Sequence, residues 1–113
     1  MPQVNITTSR KLDAAAKNDL QLEIGAAMPL LPGKNIGNTI ISINDGVPMF
    51  RDGRPADAAF IDVRLYKASP EDSKSDFAKK MFAILNVTAN IEPGQIYMNF
   101  IELEHWASNG EYR

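Results

Sequence analysis

Pro2 has the most distinctive chemistry open to it of any residue in this chain. It directly follows the initiator methionine. Aminopeptidases remove a methionine that precedes a small residue, and the product here carries a free secondary amine. Such an amine is basic and nucleophilic, and burial disfavours its cation. In an apolar pocket it stays substantially neutral near pH 7 and suits proton abstraction from carbon, the work of a general base in enolisation. The ordinary reading is a proline that opens a strand, where a missing N–H costs no ladder bond.

Other residues offer weaker chemistry. Tyr97 and Asn99 stand two apart in a strand-like run, so they share one face. Tyr97 suits donation to an anion or a pocket wall. Asn99 suits orientation of a carbonyl or hydroxyl, and asparagine is uncommon inside strands. Lys34 follows a helix-ending Pro32-Gly33, where the helix dipole alone explains a cation. As a functional residue it attracts a carboxylate and the growing charge of an enolate. Asp62, Arg64 and Tyr66 share a strand side and read first as a solvated or subunit-facing surface. An arginine beside a pocket, either Arg64 or Arg51, suits the clamping of a second carboxylate on a substrate. Glu102, Glu104 and His105 make a poor cation site, because adjacent strand residues alternate sides and there is one histidine in the chain. Trp106 reads equally as a pocket cover and as an interface aromatic.

The elements that must position these residues follow from periodicity. Val4 and Ile6 alternate with Gln3, Asn5 and Thr7, which predicts a short strand. Ser9 or Thr8 is placed to cap a helix whose stripe is Leu12, Ala16, Leu20, Ile24 and Ala27 or Met28. Leu31-Pro32-Gly33 ends it. Residues 38–44 predict a strand, Asp45-Gly46 a turn, 47–50 a short strand and 51–55 a loop. Residues 59–66 predict a long strand with Ile61, Val63 and Leu65 on one side. Ser69 is placed to cap a second helix, with Pro70 at its first position and Asp72 completing a capping box. Phe77, Met81, Ile84 and Leu85 form its buried stripe. Pro93-Gly94 turns into a last strand over 95–103.

The order strand–helix–strand occurs twice, which predicts one α+β domain over residues 1–113: a two-layer sheet carrying two helices. A chain of 113 residues supports a modest core. Apolar side chains on the second sheet face call for a partner, so self-association is expected. With no cysteine there is no disulfide scaffold and no thiolate chemistry. A net charge of −2 argues against a general nucleic-acid binder. There is no apolar span long enough for a bilayer, and the first residues lack a secretory signal's apolar run, so neither membrane nor export is expected and cytoplasmic residence is the default. Asn86-Val87-Thr88 matches a glycosylation acceptor by chance on that reading.

Met1-Pro2 before a strand, Pro32-Gly33-Lys34 after the first helix, and Ile96-Tyr97-Met98-Asn99-Phe100 in the last strand together resemble the tautomerase superfamily, in its macrophage migration inhibitory factor-like group. The resemblance spans nearly the whole chain. It implies a β-α-β repeat assembled as a homotrimer, with sites between subunits and no cofactor. It implies Pro2 as the base in keto–enol tautomerisation of phenylpyruvate-like acids. It further implies Lys34 as a carboxylate-binding lysine and Leu65 as the donor of a carboxylate-binding backbone amide. Tyr97 and Asn99 become pocket residues, Tyr97 coming from the neighbouring subunit. Arg64 and Trp106 are further pocket candidates. Two alternatives accompany that reading. One is a hydratase, dehalogenase or decarboxylase of the same superfamily, acting on a small unsaturated or keto acid. The other is a non-catalytic trimeric interaction protein.

Overall fold

The computed structural model describes residues 2–112. Whether Met1 is removed is a question outside the described residues. The chain is α+β, with four strands in one mixed sheet and two helices packed on one of its faces. The first unit is β1 (Gln3–Thr8), α1 (Ala14–Ala27) and β2 (Ile40–Asn44); the second is β5 (Ala59–Tyr66), α2 (Glu71–Ala89) and β6 (Ile96–Leu103). A small hairpin, β3 (Phe50–Arg51) and β4 (Arg54–Pro55), separates them, and another, β7 (Ala107–Ser108) and β8 (Glu111–Tyr112), follows them.

The sheet order is β2-β1-β5-β6. β1 and β5 pair antiparallel at the centre, and each takes its unit's second strand in parallel on its outer side. In both units the parallel partner follows by 37 residues, from 3 to 40 and from 59 to 96. The repeat is therefore one of geometry. Each crossover has the helix needed to connect parallel neighbours, and both helices fall on the same side.

The core lies between that side and the helices. Val4, Ile6, Ile61, Val63 and Leu65 point into it from the central strands, Leu20 and Ile24 from α1, and Phe77, Met81 and Leu85 from α2; all are fully buried. Period-2 alternation on the strands and period-3.6 recurrence on the helices deliver these residues to one layer. Phe77 meets Phe100 of β6 with ring centroids 6.2 Å apart at a tilted angle. Gly25 is buried in α1 because Ile36 packs where a Cβ would stand.

Several local expectations need correction. Neither Ser9 nor Thr8 caps α1. Asp13 does, accepting the Ala16 N–H at 2.8 Å, while Ser9 and Thr8 bind the Ala58 backbone. Ser69 does not cap α2 either: Pro70 occupies that position with no side-chain cap, and the Ser69 N–H donates to the Glu102 carboxylate. Glu102 thereby takes the N–H that a capping box would leave to Asp72. β2 starts at Ile40 because Asn35 and Asn38 cap each other around a 3-10 turn over Ile36–Asn38. Residues 47–49 are not a strand, and 51–55 are largely a hairpin. Asp52 and Gly53 both take positive φ there, the pattern that suits a two-residue turn between twisted strands.

Candidate functional site

Pro2 is buried at the start of β1, where the sheet runs out. Its carbonyl accepts the Ile40 N–H at 3.1 Å, which fixes the first residues of β1 against the start of β2. A cavity of about 440 Å³ opens here, lined by Pro2, Gln3, Ile40, Trp106, Ala107, Ser108 and Asn109. None of these side chains is charged.

The structure thus brings Trp106 to Pro2. It also brings Ala107, Ser108 and Asn109, which the sequence reading did not single out. The signal was present in Asn109-Gly110: both take positive φ and turn β7 into β8, and Asn-Gly between short extended runs is the strongest short-range hairpin signal. The Ser108 Oγ is buried and has no hydrogen-bond partner among the described residues. His105, beside Trp106 in sequence, stacks on Tyr112 at 6.1 Å.

Leu65 is near Pro2 along the backbone. Gln3 pairs with Arg64, so the register carried one residue further sets Pro2 beside Leu65, whose side chain is wholly in the core. Arg64 is exposed and shares the face of its partner Gln3, a cavity residue. Lys34 is half-buried in the loop that ends at Ile40, behind Gly33 with its positive φ. Its own N–H donates to the Leu31 carbonyl, and it is outside the cavity lining.

Tyr97 and Asn99 are not brought to Pro2 within the chain. Tyr97 shares a row with Phe60 and Thr7, at the far end of the sheet. Five residues along β1 and two strand spacings separate it from Pro2, roughly 17 Å by roughly 10 Å. Asn99 lies in a polar row across all four strands: Ser42, Asn5, Asp62, Asn99. The Ser42 hydroxyl donates to Asn5 Oδ1 at 2.6 Å and Asn44 Nδ2 donates to the same atom at 3.0 Å. Asn99 Oδ1 is buried without a partner among the described residues. These side chains occupy the sheet face turned away from the helices. Ile40 (65% exposed), Phe60 (39%) and Tyr97 (45%) share that face, so it is mixed, with apolar groups flanking the polar row.

At the Tyr97 end, a second cavity of about 600 Å³ is lined by Arg10, Arg51, Asp52, Arg54, Asp57, Glu92, Gln95 and neighbours. The Arg51 guanidinium lies 5.5 Å from the Tyr97 ring centroid. Away from both cavities, Glu102 accepts from Lys74 at 2.9 Å and from the Ser69 N–H, and these donors hold its carboxyl below the usual range. The Lys74 ammonium is correspondingly raised, by Glu102 first and Glu71 second. Glu102 is thus committed to a structural pair. Among the described residues no helix is long and apolar enough to cross a membrane.

No protein-family profile matches the sequence, and no curated protein sequence does so either. Solved structures do match in fold. MIF2 of Leishmania major superposes with a TM-score of 0.92 at 20% identity, over 100% of this chain and 97% of that one. A macrophage migration inhibitory factor homologue from Prochlorococcus marinus gives 0.84 at 23%, over 97% of each chain. N1, a member of the cis-3-chloroacrylic acid dehalogenase family, gives 0.84 at 12%, over 97% of this chain and 82% of that one.

Proposed function

We propose that this chain, which has the macrophage migration inhibitory factor-like fold of the tautomerase superfamily, is a cofactor-free keto–enol tautomerase of small α-keto acids with Pro2 as its general base. The observation that carries the reading is the position of Pro2, buried at the sheet end and lining an uncharged cavity large enough for an aryl keto acid.

Removal of Met1 converts the Pro2 nitrogen from a tertiary amide, which has no basicity to use, into a secondary amine. The neutral amine takes a proton from C3 of the keto acid. The C–H electron pair becomes the C2–C3 π bond, and the carbonyl oxygen gains the charge. The pyrrolidinium then returns its proton to that oxygen, giving the enol; ketonisation runs the same steps backward. One group serves both transfers, so base and acid strengths are matched by construction.

The remaining roles belong to the same proposal. Lys34, in the loop that runs to the cavity residue Ile40, binds the substrate carboxylate, and Leu65 stands beside Pro2 in the register. Tyr97 and Asn99 are too far from Pro2 to act within one chain. Their place in the site requires a second copy, which the open sheet face and the Asn99 Oδ1, without a partner among the described residues, support. A homotrimer with sites between subunits meets that need. Trp106 walls the cavity.

The test is tautomerisation of phenylpyruvate by protein whose intact mass shows Met1 absent, against protein that retains it. Activity confined to the processed form supports Pro2; equal activity in both forms removes it as base. An acetylenic keto acid gives a second readout. The solved structure of Pt0534, which has the same fold, is of that protein inactivated by 2-oxo-3-pentynoate. The same compound is expected to add covalently to the N-terminal peptide here.

A further inference from the structure

Arg51 is fixed to the same turn that delivers Tyr97. Its Nη1 donates to the Gly94 carbonyl at 2.9 Å and to Gln95 Oε1 at 3.1 Å, immediately before β6 begins. Its guanidinium lies over the Tyr97 ring, a favourable placement for a cation on an aromatic face. The two other arginines of this cavity are matched by carboxylates: Arg10 by Asp57 at 3.3 Å and Arg54 by Asp52 at 3.9 Å. Among the described residues no carboxylate comes within 4.0 Å of Arg51. A guanidinium offers five N–H donors in a fork matched to a carboxylate, and the described bonds use one of its terminal nitrogens.

The Pro2 cavity has no charged side chain of its own. A neighbouring copy that supplies Tyr97 to that cavity supplies Arg51 as well, because Arg51 is bonded to Gly94 and Gln95 just before Tyr97 and lies over its ring. We propose that Arg51 is a specificity-determining residue that recognises a second anionic group on the substrate, so that keto diacids are favoured over aryl keto monoacids. This inference rests on the tautomerase reading above. Lys34 meets the carboxylate next to the carbonyl, and Arg51 meets a carboxylate at the distal end. Tyr97 holds the guanidinium face, leaving its edge donors for the ligand.

The experiment compares phenylpyruvate with its 4-carboxy derivative, which differs by one anionic group. Wild-type, Met1-free protein is expected to favour the diacid in kcat/KM. Arg51→Ala is expected to lower the diacid-to-monoacid ratio about tenfold, mainly through KM, as loss of one charge-assisted pair implies. Arg51→Lys keeps the charge without the fork and is expected to restore part of the ratio. An unchanged ratio in Arg51→Ala, or an equal loss on both substrates, overturns the proposal. Melting temperatures of both variants separate misfolding from lost recognition. If processed wild-type protein turns over neither acid, the tautomerase reading falls. Quenching of Trp106, the chain's one tryptophan and a cavity residue, then decides Arg51 from the affinities of the two acids. An affinity ratio unaltered by Arg51→Ala overturns the proposal there too.

Discussion

The Ile40 N–H donates to the Pro2 carbonyl at 3.1 Å. β2 therefore holds Pro2 through its backbone and leaves the pyrrolidine ring and nitrogen for the cavity. Glycine at position 2 keeps the carbonyl, so the bond and the strand survive. Pro2→Gly is expected to fold with an unchanged far-ultraviolet circular dichroism spectrum and to lose about 10²-fold in kcat on phenylpyruvate, because glycine offers a primary amine without the ring that holds the nitrogen in place. Full activity in the folded variant shows that the pyrrolidine ring has no part in the rate.

The Ser108 hydroxyl is buried without a partner among the described residues, which makes its removal inexpensive. Ser108→Ala is expected to leave stability unchanged or to raise it by up to about 1 kcal/mol, since an unsatisfied polar atom is replaced by hydrogen. Denaturant titration measures this. A loss above about 1 kcal/mol shows that the hydroxyl has a protein partner in solution, as an assembled oligomer can provide.

Asp13 and Ser69 make a paired test of the helix starts. Asp13 caps α1 with its side chain, so Asp13→Ala is expected to cost about 1 kcal/mol. Ser69 uses its backbone N–H alone, so Ser69→Ala is expected to stay within about 0.5 kcal/mol. Equal costs in urea unfolding contradict the assignment of the caps.

Three shifted groups contribute to the pH dependence. The Leu12 N–H, with Lys17, holds the Asp45 carboxyl below its ordinary value, and Lys74, with the Ser69 N–H, does so for Glu102. Each carboxylate is a stronger acid folded than unfolded, so its contribution is complete above the unfolded values near about 4 and disappears as pH falls through the lowered folded values. Lys74 is the reverse case. Its contribution is complete below about 10.4 and is lost as pH rises through its raised folded value. Melting temperature is expected to hold between these limits and to decline outside them. Glu102→Gln is expected to flatten both declines, because it removes a titrating carboxylate and the largest influence on Lys74. Unchanged acid and alkaline slopes in that variant refute the assignment.

Both β-α-β units were legible because alternation and helical recurrence are local consequences of backbone geometry. Val4 and Ile6, and likewise Phe77, Met81, Ile84 and Leu85, mark their faces whatever packs against them. The caps were less legible. Ser69 carries an ordinary capping-box pattern, but Glu102, 33 residues onward, takes its N–H. Local preference of about 1 kcal/mol yields readily to one charged acceptor from another strand.

The sequence by itself determined the two helix stripes, the alternation of the long strands, the absence of thiol chemistry and the candidacy of Pro2. The tertiary structure decided which residues share a cavity. It joined Pro2 to Ser108 and Trp106 across most of the chain, set Tyr97 at the opposite end of the sheet, and laid Arg51 on its ring. Periodicity fixes the side of an element on which a residue lies. It carries no information on strand order or register, and those two quantities set every distance between the candidate residues.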